Sequence, residues 1–157
     1  MKDIPHNKAP TRRQLVTDVA GMALLIVLRP ATAATADLDL AVAKYVAGAR
    51  ITAGKVKLDI AELVDNGNVV PITVTVDSPM TAADHVKSIA IFNEKNPQRD
   101  VARFALGPRA GKASVTTRIR LATSQKLVAV AQMSDDTYWS HSVDVIVTLA
   151  ACIEGEA

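Results

Sequence analysis

A β-sandwich is the fold that this sequence predicts beyond residue 55, and three observations predict it. Apolar and polar residues alternate with period two, as in Lys55-Val56-Lys57-Leu58-Asp59-Ile60. About seven or eight such runs follow one another at short intervals. Turn-forming residues stand between them: Asn-Gly, Asn-Pro, Gly-Pro, Ala-Gly and Ser-Asp-Asp. Short strands at that spacing pack as two facing sheets.

The elements follow in order. Residues 37–48 predict a short helix, because Leu38, Val42, Tyr45 and Val46 share one helical face, with an acidic start at Asp37 and a stop at Gly48. Lys55–Ile60 is a strand. Asp65-Asn66-Gly67-Asn68 is a turn whose Asn and Gly tolerate positive φ. Ile72, Val74 and Val76 then point one way, and Thr73, Thr75 and Asp77 the other. Ser88–Phe92, Val101–Leu106, Ala113–Leu121, Lys126–Met133, Thr137–His141 and Ser142–Leu149 complete the strands. In the last of these, Val143, Val145, Val147 and Leu149 fit a core face.

The N-terminal residues 1–36 have a different character. Arg12-Arg13 precede an apolar run, Val19–Leu28, and two small-x-small sites follow, Ala31-Thr32-Ala33 and Ala34-Thr35-Ala36. Basic, apolar and small regions in that order have the layout of an export signal. The arginine pair matches the twin-arginine class, whose machinery moves folded proteins. The apolar run of about ten residues is short of the ~20 needed to span a bilayer. The expectation is a periplasmic protein, with no membrane segment once the signal is cleaved.

Charge then excludes one function class. The chain has 18 basic and 16 acidic residues, of which 1–36 hold five and two, leaving 13 and 14 in the remaining 121 residues. The basic pI therefore belongs mostly to the leader, and nothing else suggests nucleic acid. One domain, 37–149, is large enough to bury a core without disulfides.

Catalytic patterns are lacking. His85, His141, Asp84 and Asp144 fall on turns or strand ends without ligand-like spacing. The serines near Asp135 and His141 form no nucleophile motif, and Trp139 reads as a packing aromatic. Arg118 and Arg120 alternate with Thr117, Ile119 and Leu121, so they face solvent or a partner. A blue-copper site would place His and Met beside its cysteine. Neither follows Cys152, and no metal or cofactor is expected.

The remaining candidate is the single cysteine, Cys152, on a short tail of residues 150–157. It has no internal partner, so it is an attachment point, an intermolecular disulfide or an incidental residue; in an oxidising compartment an unpaired thiol is notable. The reference thiol pKa is about 8.5, and Glu154, Glu156 and the terminal carboxylate disfavour the thiolate by repulsion. Activation of this thiol would have to come from a partner.

Several blocks of the chain resemble one family. Asn66-Gly67-Asn68-Val69-Val70-Pro71-Ile72-Thr73-Val74, Val76-Asp77-Ser78-Pro79-Met80-Thr81, Phe92-Asn93-Glu94-Lys95-Asn96-Pro97, Ser114-Val115-Thr116-Thr117-Arg118-Ile119-Arg120-Leu121 and Val128-Ala129-Val130-Ala131 resemble SoxY, the sulfur-carrier subunit of the periplasmic thiosulfate-oxidising Sox system. The resemblance implies an all-β, immunoglobulin-like sandwich with a short N-terminal helix and a C-terminal cysteine arm. It also implies a SoxZ-like partner in a heterodimer, other sulfur-oxidation enzymes as clients, and Cys152 as the point of covalent attachment. The family arm is Gly-Gly-Cys-Gly-Gly; here Ala150, Ala151, Ile153 and Glu154 flank the cysteine. This ending resembles the SoxY-related proteins with an Ala-Ala-Cys-Ile-Glu arm. Alanine is stiffer than glycine, Ile153 crowds the sulfur, and Glu154 resists burial.

Three functions are consistent with these residues, none of them enzymatic. The first is a carrier of a sulfur-oxidation intermediate on Cys152. The second is a scaffold in which the sandwich binds a SoxZ-like partner and the thiol is incidental. The third is a redox regulator that dimerises through Cys152.

Overall fold

The computed structural model describes residues 32–151, and the twin-arginine segment and the end of the tail lie outside them. Helix α1 (Thr32–Val46) comes first. Nine strands follow: β1 (Ile51–Ala53), β2 (Val56–Asp59), β3 (Leu63–Val64), β4 (Val70–Val76), β5 (Val86–Asn93), β6 (Asp100–Ala105), β7 (Ser114–Ile119), β8 (Gln125–Met133) and β9 (Tyr138–Val147). They form two sheets. One has the order β1-β9-β8-β5-β6 with β3 also on β9; the other has the order β2-β4-β7.

The smaller sheet follows the alternation closely. Val70, Ile72, Val74 and Val76 of β4 are buried, as are Val56 and Leu58 of β2. Its outer face is polar: Thr73 and Thr116 join hydroxyls at 3.0 Å, and Arg118 is exposed. Pro71 sits where β4 pairs with β7 alone, since the β2 ladder ends at Asp59 opposite Thr73. A residue without an N–H is tolerated at such a half-paired position.

The larger sheet is covered on both faces, and β5 shows it in its sequence. Ile89 and Ile91 enter the core between the sheets, while Ala90 and Phe92 enter a second cluster with Leu38, Val46 and Val130. A strand buried on both sides reads as a continuous apolar run rather than an alternating one. A register shift between Val86 and Ser88 lets Val86 and Ile89 both face inward despite their odd spacing.

Helix α1 supplies the second cover. Leu38, Ala41, Val42, Tyr45 and Val46 lie against the sheet, as the periodicity predicts. Tyr45 packs on Phe92 and Tyr138 at ring distances of 5.6 and 6.0 Å, and its hydroxyl is 2.7 Å from Ser88 Oγ. The helix begins at Thr32, earlier than the sequence reading of Asp37, because Ala and Thr at 32–36 continue it without a breaker. It ends near the expected stop: Gly48 has φ +81° and donates to Ala43 O. No helix among the described residues is long and apolar enough to cross a membrane.

Several elements differ from the sequence reading. The two runs expected at 137–149 are the single strand β9, because Ser140-His141-Ser142 contains no glycine or proline and the ladder to β8 runs through it. Strands β1 and β3, three and two residues long, were not expected; both pair in parallel with β9. Leu149 is 61% exposed instead of facing the core, because β9 ends at Val147. Val145 is buried, and Val143 and Val147 are half-buried.

In the uncleaved chain Glu94 ties the first turn of the helix to the sheet. Its carboxylate accepts from Lys126 N–H at 3.1 Å and from the Thr35 hydroxyl at 3.2 Å. The Lys126 amide is the main cause that holds Glu94 below its ordinary pKa of 4.5. A depressed carboxylate contributes stability above its unfolded pKa and loses it as pH falls through the folded value. Thermal unfolding followed from about pH 6 to pH 3 should show Tm falling at the acid end. Glu94→Gln should flatten that fall, while Tm at neutral pH drops slightly.

Candidate functional site: the root of the C-terminal tail

Cys152, Ile153 and Glu154 lie outside the described residues, which end at Ala151. What the structure describes is how the body holds the chain that leads to them. The end of β9 and the residues after it are bonded to β3 and to the chain on either side of it. Ile146 N–H donates to Glu62 O at 2.7 Å, and Thr148 N–H donates to Val64 O at 3.0 Å. Gly67 N–H then donates to Leu149 O at 2.7 Å. The Thr148 hydroxyl adds a bond to Asp65 O at 3.1 Å.

A third segment completes the root. Leu121 N–H donates to Gly67 O at 2.8 Å, and Ala151 N–H donates to Leu121 O at 3.1 Å. Ala150 is exposed, whereas Ala151 is buried, at 7% exposure. Gly67 sits at the centre of these bonds. A Cβ at Gly67 would lie 2.4 Å from Leu121 O, 3.0 Å from Ala151 N and 3.1 Å from Val147 Cγ1.

This corrects the sequence reading of Gly67. Among the described residues the positive-φ glycines are Gly48, Gly54 and Gly111, and Gly67 is not among them. Glycine is required at 67 by close approach of two other backbone segments, not by the turn's handedness. The turn itself is held by Asn66, whose Oδ1 accepts from Asn68 N–H at 2.9 Å.

The loop that carries Leu121 is in turn fixed by Asn96. Asn96 Oδ1 accepts from Ala122 N–H at 3.0 Å and from Gln125 Nε2 at 2.7 Å. Asn96 Nδ2 donates to Arg120 O at 2.8 Å. Gln125 is buried, at 4% exposure, and its Oε1 accepts from Lys95 N–H at 2.8 Å. Ser124 Oγ accepts from Val147 N–H at 2.9 Å, which joins the same loop to the end of β9. Asn96 and Gln125 carry no sequence signal beyond the Asn-Pro turn, and a carbonyl such as that of Leu121 carries none at all.

The other candidate residues lie apart from this root. His141, on β9, accepts at Nδ1 from Leu58 N–H at 3.2 Å and so links the two sheets. His85 Nδ1 is 3.1 Å from Thr81 O in the turn before β5. Asp84 and Asp144 are exposed. Among the described residues no group of His, Cys, Asp and Glu is placed to hold a metal. Trp139 packs as a structural aromatic, with the Lys55 ammonium 5.0 Å from its ring and its Nε1 donating to Thr137 Oγ1. A cleft of about 640 Å³ lies between the end of β4 and the start of β7, the opposite end of that sheet from Gly67 and Leu121.

The family model of sulfur oxidation protein SoxY fits residues 42–152. The chain belongs to the SoxY family. Its structure is similar to that of the sulfur carrier protein SoxY from Chlorobium limicola f. thiosulfatophilum, at 28% identity and a TM-score of 0.62, over 73% of this chain and 94% of that one.

Two superoxide reductases share the fold. The superoxide reductase (neelaredoxin) from Ignicoccus hospitalis is 22% identical, with a TM-score of 0.53 over 60% of this chain and 80% of that one. The superoxide reductase from Nanoarchaeum equitans is 15% identical, with a TM-score of 0.50 over 58% and 91%. At such identities the likeness to these enzymes is one of fold. No curated protein sequence matches the chain. Family membership and the Chlorobium SoxY match support a sulfur-oxidation carrier role within this all-β architecture.

Proposed function

We propose that the chain is a periplasmic carrier of sulfur-compound oxidation, of the thiosulfate type, which holds its cargo covalently on Cys152 and presents it to partner enzymes. The observation that carries this reading is the extent of the family match, which runs to Cys152 itself. In the same reading, residues 1–36 are a twin-arginine signal, 37–149 the carrier body and 150–157 the arm. A SoxZ-like subunit completes a heterodimer, and the Ala-Ala-Cys-Ile-Glu ending sets this chain on a side branch of the family.

The chemistry assigns loading to another protein. Joining the Cys152 thiol to a thiosulfate sulfur forms one S–S bond and releases the thiol proton and two electrons. A partner enzyme that passes those electrons to an acceptor must therefore perform the step. The carrier's contribution is to offer one thiol at a defined place. The flanking carboxylates of Glu154 and Glu156 keep that thiol from reacting fast without a partner.

The test is the intact mass of the protein purified from the periplasm with its partner, before and after reductant. A reductant-labile mass mapping to Cys152, absent in Cys152→Ser, is the expected result. An unmodified thiol under sulfur-oxidising growth, with partner binding unaffected by Cys152→Ser, would favour a scaffold instead.

A further inference from the structure

We infer that Gly67 is a positioning residue for the tail, forming with Leu121 a latch that holds the chain through Ala151 and leaves Cys152 one residue from the body. The inference rests on the carrier reading for its meaning in transfer, but the latch itself is a property of the described residues.

Three segments make it. The backbone from 146 to 151 is bonded at Ile146, Thr148, Leu149 and Ala151, and Gly67 and Leu121 supply the last two partners while bonding each other. Gly67 admits this only by lacking a side chain, since a methyl there would meet the Leu121 carbonyl oxygen at 2.4 Å. The methyl of Ala151 is buried at the same point. An alanine here fills space that a glycine would leave empty, and it has fewer unfolded conformations to lose on docking. The two alanines before the cysteine are thus suited to a held tail.

The latch governs reach. An extended residue spans roughly 3.3–3.6 Å, so releasing residues 148–151 would add on the order of 14 Å to the excursion of the thiol. While the latch is closed, a partner must bring its reacting atoms to the residue that follows the buried Ala151. Opened, the same tail could enter a recess in a partner.

The lone thiol permits a direct test. A nitroxide attached at Cys152 in the full mature chain should give an electron paramagnetic resonance spectrum with a motionally restricted component. Gly67→Ala should remove that component and shorten the correlation time several-fold. Ala151→Pro, which removes the N–H that donates to Leu121 and also fixes the local φ, should do the same while circular dichroism and Tm stay near wild type, so the test survives if Gly67→Ala fails to fold. A wild-type label as mobile as in denaturant, or a restricted component unchanged in Ala151→Pro, would overturn the latch. Because the readout is label mobility, it is independent of whether Cys152 carries a sulfur adduct in the cell.

Discussion

Phe92→Ala should lower stability by about 3–5 kcal/mol, the cost of emptying a fully buried aromatic site. Phe92 is 0% exposed and lies in the cluster that joins α1 to the outer face of the larger sheet. Its ring meets Tyr45 at 5.6 Å, and Tyr45 also carries the Arg103 guanidinium 5.1 Å from its ring. Losing Phe92 therefore removes the floor on which the helix rests as well as the buried area. Denaturant unfolding should report the energy, and limited proteolysis should cut the chain between residues 32 and 50 faster than in wild type. An unfolding loss without faster cleavage there would mean that Leu38 and Val46 hold the helix by themselves.

Asn96→Ala should cost about 2–4 kcal/mol, from three hydrogen bonds at a net ~0.5–1.5 each, one of them the shorter of the two that the buried Gln125 Nε2 donates. For a domain of this size that is a fall in Tm of roughly 10 °C. The loss should be local in its consequences. Asn96 fixes Arg120, Ala122 and Gln125, and Leu121 lies between the first two. Hydrogen exchange at the Ala151 amide should therefore accelerate more than at Val145, which is buried within β9. Equal acceleration at both amides would show that Asn96 supports the sandwich as a whole and not the tail root. Asn96→Asp keeps an acceptor but loses the donation to Arg120 O, and should fall between.

Much of the fold was legible because burial in a sandwich imposes a period of two, and β2, β4 and β7 display it directly. The helix was legible through the shared face of Leu38, Val42, Tyr45 and Val46, although its start was not, since no breaker precedes Asp37. Strands β1 and β3 escaped because three and two residues show no period, and their partner strand β9 lies far along the chain. Leu149 was placed on the core face by extending an alternation past the last paired residue. Gly67 was recognised as a turn glycine, but its requirement comes from Leu121 and Ala151, which only the folded chain brings beside it. The hub at Asn96 has the same character, since its partners are mostly backbone groups, whose roles no side chain announces.

Strand β9 gives the fold an order in time. It runs antiparallel to β8 on one side, while its other side receives β1 at Tyr138–Ser140 and β3 at Ile146–Val147. These are long-range pairings, and proteins dominated by them fold in milliseconds to seconds rather than microseconds. The first strand waits for the last, so a chain still emerging from the ribosome cannot close the larger sheet. The same final residues build the mount for the tail. A tail root set in place at Ala151 is therefore a signature that β9 has found β1, β3 and β8, and a partner that recognises the mount would pass over copies whose larger sheet is still open.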